Sequence, residues 1–201
     1  MRCTMVELFS LFLAVLVRFL TKRFIGEYAS NTNSLYCKRF SIDGRQLNLE
    51  VFDPCSQSAE SQSVPVEPLS WADGFIVVYN IIDRTSFLNA KNILQPERLG
   101  TEKENSHLWE VPVGLVGNKQ DLCHARQVSE EEGRTLAQEH RCLFQEVSAA
   151  EDHQEISGLF TELIRSAAER LRRPTDLRRY SGSKSMAKLI NNVFGKRRKS
   201  V

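Results

Sequence analysis

Apolar runs along the chain are short and are separated by polar stretches rich in Gly, Pro, Ser and Asn. Leu11 to Val17 (LFLAVLV) is apolar throughout and fits either a buried strand or the start of a helix; periodicity does not decide between them. From Val17 to Tyr28, Val17, Leu20, Phe24 and Ile25 recur near helical spacing with Lys22 and Arg23 between them, and Gly26 is the expected stop. Ala29 to Leu35 is a polar loop. Tyr36 to Ile42 and Gln46 to Phe52 then alternate around Asp43-Gly44-Arg45, a hairpin signature, because Asp-Gly supplies the positive φ that a tight turn needs. Asp53 to Ser70 is loop-like and punctuated by Pro54, Pro65 and Pro68. Phe75 to Ile82 (FIVVYNII) predicts a buried strand, and Ser86 to about Leu99 a helix interrupted at Pro96.

The second half is more regular. Val113 to Val116 is a buried-strand run that passes directly into Gly117-Asn118-Lys119-Gln120-Asp121-Leu122. Ser129 followed by Glu130, Glu131 and Glu132 predicts an N-cap with an acidic first turn, and a helix to about His140. Cys142 to Val147 reads as a short strand. Gln154 to Arg173 reads as an amphipathic helix with Ile156, Leu159, Phe160, Leu163, Ile164 and Ala167 on its apolar face, stopped by Pro174. Strands alternating with helices predict an α/β domain: a mostly parallel sheet with helices on both faces and an antiparallel edge from the hairpin.

Composition narrows the class. The 201 residues are 41% hydrophobic and 26% charged, which suits one globular domain with tails. The net charge of +2 hides an asymmetry: from Arg165 onward 12 Lys/Arg face 2 Asp/Glu, against 15 and 23 in the remainder. A mildly acidic body therefore carries a basic tail. Cys3, Cys37, Cys55, Cys123 and Cys142 are odd in number and form no C-x-x-C pair, so reduced intracellular thiols are expected rather than a zinc site. Leu8 to Val17 superficially resembles a signal peptide, but Glu7 and Arg18 bracket only about ten apolar residues, too few to cross a bilayer.

The candidate chemistry sits after the central strand. Asn118, Lys119 and Asp121 stand at a strand end, where open α/β sheets place their ligand sites. Asp121 offers two carboxylate oxygens for the N1 and N2 protons of a guanine, a donor pair that adenine lacks; Asn118 and Lys119 brace the loop and cover the base. This Asn-Lys-x-Asp, with Trp71-Ala72-Asp73-Gly74 before FIVVY, Ile82-Asp83-Arg84-Thr85-Ser86-Phe87 after it, and Glu146-Val147-Ser148-Ala149-Ala150, resembles the small GTPases of the Ras-like family over roughly residues 17 to 172. The resemblance implies a P-loop GTPase fold, a mixed and mostly parallel six-stranded sheet, with the first strand and helix truncated. It implies guanine-nucleotide (GTP/GDP) and Mg²⁺ binding, a role in signalling, and effector or regulator proteins as partners of a monomer. It assigns nucleotide contact to Asn118, Lys119, Asp121, Ser148, Ala149 and Ala150, with the Ala149 amide meeting the base oxygen. Asp53 becomes a residue behind the Mg²⁺ and Gln57 the one that positions the attacking water.

The departures matter as much. No G-x-x-x-x-G-K-[ST] occurs anywhere in the sequence, and that loop wraps phosphates in backbone N–H groups while sending them a Lys and giving Mg²⁺ a hydroxyl. Leu13 to Leu16 resembles the end of the first strand and abuts the first helix at Val17, as though roughly a dozen residues were missing. Asn31 falls where the family's Mg²⁺-binding Thr belongs, Ser56 replaces the usual switch Gly behind a stiffening Pro54, and Ala150 replaces a common Lys. Weak nucleotide binding and poor hydrolysis are therefore expected, with a nucleotide-independent interaction module (a pseudo-GTPase) as the alternative. By domain, residues 1–16 read as an atypical N-terminus, 17–173 as the GTPase domain and 174–201 as a basic tail. In that tail, Met186, Leu189, Ile190, Val193 and Phe194 precede Lys196-Arg197-Arg198-Lys199, which suits transient contact with an anionic membrane or nuclear import; a disordered solubilising tail is the plain alternative. No specific nucleic-acid site is expected. The ending offers no C-a-a-X box, so no prenylation is expected, and the protein reads as cytoplasmic with peripheral-membrane or nuclear excursions through its tail.

Overall fold

A computed structural model describes residues 2–6, 11–24, 34–53, 72–95 and 111–171. Six strands form one sheet: β1 (Arg2–Val6), β2 (Ser34–Ile42), β3 (Arg45–Asp53), β4 (Phe75–Asn80), β5 (Val113–Asn118) and β6 (Leu143–Val147). Their spatial order is β2-β3-β1-β4-β5-β6. Every pairing is parallel except the β2–β3 hairpin. Four helices accompany them among the described residues: α1 (Leu11–Thr21), α2 (Arg84–Leu94), α3 (Glu130–Glu139) and α4 (His153–Leu171). Residues 1–167 make one compact unit; of the second, 168–201, only the end of α4 is described.

Side-chain alternation splits the core across the sheet. Ile76 and Val78 face Val15, Leu16 and Phe19 of α1 and Ile156, Leu159, Phe160, Leu163 and Ile164 of α4. Phe75, Val77 and Tyr79 face Phe87, Ala90, Ile93 and Leu94 of α2 and Leu136 and Ala137 of α3. Since each strand face needs its own cover, β4 and β5 are buried at every position, which is why their sequences run apolar without alternation. Phe19 stacks on Phe160 with centroids 3.9 Å apart and planes 5° from parallel, tying α1 to α4. Full burial of one such side chain stabilises the fold by about 1.5–3 kcal/mol.

The first strand and helix are not where the resemblance put them. The strand expected at Leu13–Leu16 is Arg2–Val6, paired in parallel to both β3 and β4. The apolar run is the body of α1, because Leu13, Leu16 and Phe19, with Val15 beside them, fall on one buried helical face. The helix also ends earlier than Tyr28: Lys22 takes a left-handed φ of 61°, so the stop precedes Gly26. Carbonyls of that last turn are taken up by the Lys38 ammonium, which reaches the Phe19 and Leu20 oxygens at 2.8 and 3.2 Å.

Elsewhere the predicted elements form with small shifts. The hairpin turn is only Asp43-Gly44, both with positive φ (49° and 74°), and Arg45 pairs with Ile42 inside the ladder. α2 begins two residues before Ser86, capped by the Asp83 carboxylate, which accepts from the Thr85 amide at 2.9 Å; it ends at Leu94, ahead of Pro96. Ser129 and Glu132 form a reciprocal capping box at the start of α3.

Candidate functional site

In a parallel sheet the strand C-termini share one edge, and here that edge gathers the ends of β3, β1, β4, β5 and β6. Asn118 closes β5 in register with Asn80 on one side and Val147 on the other, so the segments that leave β5 and β6 start side by side. Asn118 is buried at 2% exposure and works as an internal brace. Its Oδ1 accepts from the Lys119 amide at 2.8 Å and from the Ala149 amide at 3.2 Å, while its backbone oxygen accepts from the Ile81 amide at 3.1 Å. Lys119 turns the chain with φ 69° and ψ 38°, and a 3₁₀ segment over Gln120–Ala125 follows.

That left-handed turn places Asp121 against the next loop. The Ser148 hydroxyl donates to Asp121 Oδ1 at 2.6 Å and accepts from the Glu151 amide at 3.2 Å. A carboxylate has acceptor capacity for more than one donor, so Asp121 keeps room for a ligand's N–H groups. The Ala149 amide, the donor expected to meet a base oxygen, is engaged by Asn118 and would have to be shared with it or released from it. Ser148 and Ala149 are buried at 3% each, whereas Ala150 is exposed. Asn118, Lys119, Asp121, Ser148, Ala149 and Ala150 thus lie in two adjoining loops that hydrogen bonds interlock.

Two further links escape sequence reasoning. Arg126, directly after the 3₁₀ segment, grips buried Glu146 of β6 with both nitrogens, at 2.6 and 2.7 Å. Glu146 was visible only as part of EVSAA, and nothing in the spacing nominates its partner. Arg18 of α1 reaches the Glu151 carbonyl at 2.5 Å and the Ala150 carbonyl at 3.3 Å. Its contact spans more than a hundred residues of chain, so no local pattern announces it.

Asp53 ends β3 on the same sheet edge, with β1 and β4 between it and β5. It is 6% exposed, and burial pushes its carboxyl up to about 6. Among the described residues no hydrogen bond joins it to the Asn118–Ser148 cluster, and no group of three or more His, Cys, Asp or Glu side chains is arranged to hold a metal. Gln57, Asn31, Ser56 and the basic tail lie outside the described residues. Only residues 7–10 (Glu-Leu-Phe-Ser) separate β1 from α1, and the phosphate-loop motif needs twice as many positions. The donors and acceptors of the two loops suit the polar edge of a guanine base, and the sequence holds no G-x-x-x-x-G-K-[ST].

A sequence model of the Ras family matches residues 13–169, well over half of the chain. The chain belongs to the Ras family. A Bos taurus "Ras-related and estrogen-regulated growth inhibitor-like protein" is 54% identical over 191 residues, covering 94% of this chain and 92% of the relative. The Homo sapiens protein of the same name is 53% identical over the same length, covering 94% and 91%. The human "Ras-related and estrogen-regulated growth inhibitor" is 39% identical over 186 residues, covering 91% and 88%. Six strands in a mixed sheet with helices on both faces agree with a Ras-like fold. Ras-family GTPases generally bind GTP or GDP with Mg²⁺, and effectors or regulators besides.

Proposed function

We propose that this Ras-family protein binds guanine nucleotide chiefly through its base, in a signalling role, with weak affinity and little hydrolysis. One observation supports the reading: hydrogen bonds interlock Asn118, Asp121, Ser148 and Ala149 in two adjoining loops at the strand ends, and Asp121 keeps acceptor capacity there. Asp121 would take the base N1 and N2 protons, Ala149 its oxygen, and Lys119 would cover its face. The limit on affinity comes from the phosphate side. Hydrogen bonds to charged groups contribute about 1.5–3 kcal/mol each, so three or four missing phosphate donors remove on the order of 5–10 kcal/mol. At roughly 1.4 kcal/mol per decade that weakens binding more than a thousandfold. Phosphoryl transfer depends almost wholly on positioning and charge stabilisation at those phosphates, so hydrolysis falls with them. Asp53 would stand behind Mg²⁺ and Gln57 beside the attacking water if a nucleotide held the metal there.

The test is titration of fluorescent GDP into the purified chain, with and without Mg²⁺, beside Asp121→Ala. Saturable binding that Asp121→Ala abolishes is the expected result. Absence of binding by a cooperatively folded protein favours a nucleotide-independent module, for which β2, an edge strand of the sheet among the described residues, would take partner strands. Stoichiometric Mg²⁺-dependent GTP turnover would defeat the weak-hydrolysis reading.

A further inference from the structure

The turn after β6 is fixed from two sides. On its amide side, Ala149 N–H is held by Asn118 Oδ1 and Glu151 N–H by Ser148 Oγ. Asp152 N–H closes the turn on the Ser148 carbonyl at 3.3 Å, so Ser148 to Asp152 forms a helical turn leading into α4. In such a turn the carbonyls point opposite to the amides. The carbonyls of Ala150 and Glu151 meet one guanidinium nitrogen, Nη2 of Arg18.

Arg18 is itself held in place. Its Nη1 donates at 3.3 Å to the carbonyl of Lys22, the first residue past the end of its own helix. The next residue, Phe19, is stacked on Phe160 of α4, which fixes the height of α1 against the helix that the turn begins. A planar fork fixed at one end presents its remaining donors at little further entropic cost.

We propose that Arg18 is a positioning residue for base recognition: from α1 it clamps the carbonyl side of the Ser148–Asp152 turn and so aims the Ala149 amide at the site of the base oxygen. The clamp makes base recognition depend on the seating of α1. The base-recognition half of this inference rests on the guanine reading above; the clamp itself does not.

The experiment uses the full chain as Arg18→Met and Arg18→Gln. Without nucleotide, amide hydrogen exchange is followed by NMR. In Arg18→Met the amides of Ala149, Glu151 and Asp152 are expected to exchange about tenfold faster, the equivalent of one charge-assisted hydrogen bond, while those of β5 and α3 stay unchanged. Arg18→Gln, which keeps a donor, recovers part of the protection. GDP and 2-aminopurine riboside diphosphate, which lacks the base oxygen and with it the N1 proton that Asp121 would take, are then titrated. Arg18→Met is expected to reduce the preference for GDP about tenfold and leave the affinity for the analogue unchanged. Equal losses for both nucleotides, or unaltered exchange in the turn, would overturn the proposal. If the wild-type protein takes up neither nucleotide, the guanine reading fails and the positioning of Ala149 for a base fails with it, whereas the exchange arm still decides whether Arg18 clamps the turn. Should Arg18→Met not fold, Arg18→Lys, with its cation and aliphatic stem retained, is expected to give an intermediate loss in both arms; wild-type behaviour there would count against the clamp.

Discussion

Individual side chains here show what a site costs the fold and what the packing forbids. Asp53 is an acid kept in an apolar surround at the end of β3, with burial raising its carboxyl from 3.8 to about 6. A folded-state value above the unfolded one means the folded protein binds this proton more tightly. The contribution to stability is therefore complete below about pH 4 and is lost as pH rises through 6, on the order of 3 kcal/mol. Asp53→Asn is expected to be more stable than wild type at pH 7 by about that amount, and the two should converge toward pH 4 in urea titrations. Gly133 makes the opposite point. An alanine inside a helix ordinarily gains about 1 kcal/mol over glycine. A methyl at 133 would sit against the Tyr79 hydroxyl and within 2.7 and 2.8 Å of the Phe144 ring carbons. Overpacking of that kind costs about 1–3 kcal/mol, so Gly133→Ala is expected to destabilise despite its helix propensity. Repeating it in a Tyr79→Phe background, where one of the two obstacles is gone, should lessen the loss.

Among the elements, legibility in the sequence followed how local the determining interactions are. The β2–β3 hairpin and the start of α3 could be read because Asp43-Gly44 and Ser129…Glu132 carry their own geometry within four residues. The capping box makes this measurable: Ser129→Ala should cost about 1 kcal/mol in thermal or urea unfolding. Loss of the neighbouring Arg84–Glu132 bridge, exposed on both sides, should cost less than about 1 kcal/mol. β5 and its Asn-Lys-x-Asp could be read for the same reason, with strand and loop contiguous. β1 could not. Arg2-Cys3-Thr4-Met5-Val6 has neither a buried-strand run nor clean alternation, and its strand character comes from partners at 50–52 and 75–77. The helical state of Leu13–Leu16, where a strand end is expected, has the same origin, since a uniformly apolar run suits strand and helix equally until its neighbours decide. The base site shows the same division. Its residues were named from two short motifs, but the bonds that join them, Ser148 to Asp121, Ala149 to Asn118 and Arg126 to Glu146, are tertiary.

For the molecule as a whole, the five residues of β1 decide whether there is one sheet or two. β1 is the sole link between β3 and β4 in the strand order. It pairs Arg2, Cys3 and Thr4 with Glu50, Val51 and Phe52 on one side, and Thr4, Met5 and Val6 with Phe75, Ile76 and Val77 on the other. Without it, β2–β3 is an isolated hairpin, which is marginal in water, and both β3 and β4 gain a bare edge of unpaired amides and carbonyls. Domains of this size are stable by only about 5–15 kcal/mol, and two lost parallel ladders in the middle of the core consume a large part of that. Deleting residues 1–6 is therefore expected to abolish the cooperative urea transition followed by far-UV circular dichroism, leaving a broad and shallow decline. The base site should fail with it, even though Asn118, Asp121 and Ser148 are untouched, because β4 gives β5 its register at Asn80–Asn118. An unchanged midpoint in the deleted protein would mean that β3 and β4 can close on each other directly. The short route from β1 into α1 would then be a dispensable appendage to the fold, and the seating of α1, with Arg18 on it, would depend on its packing against α4 and β4.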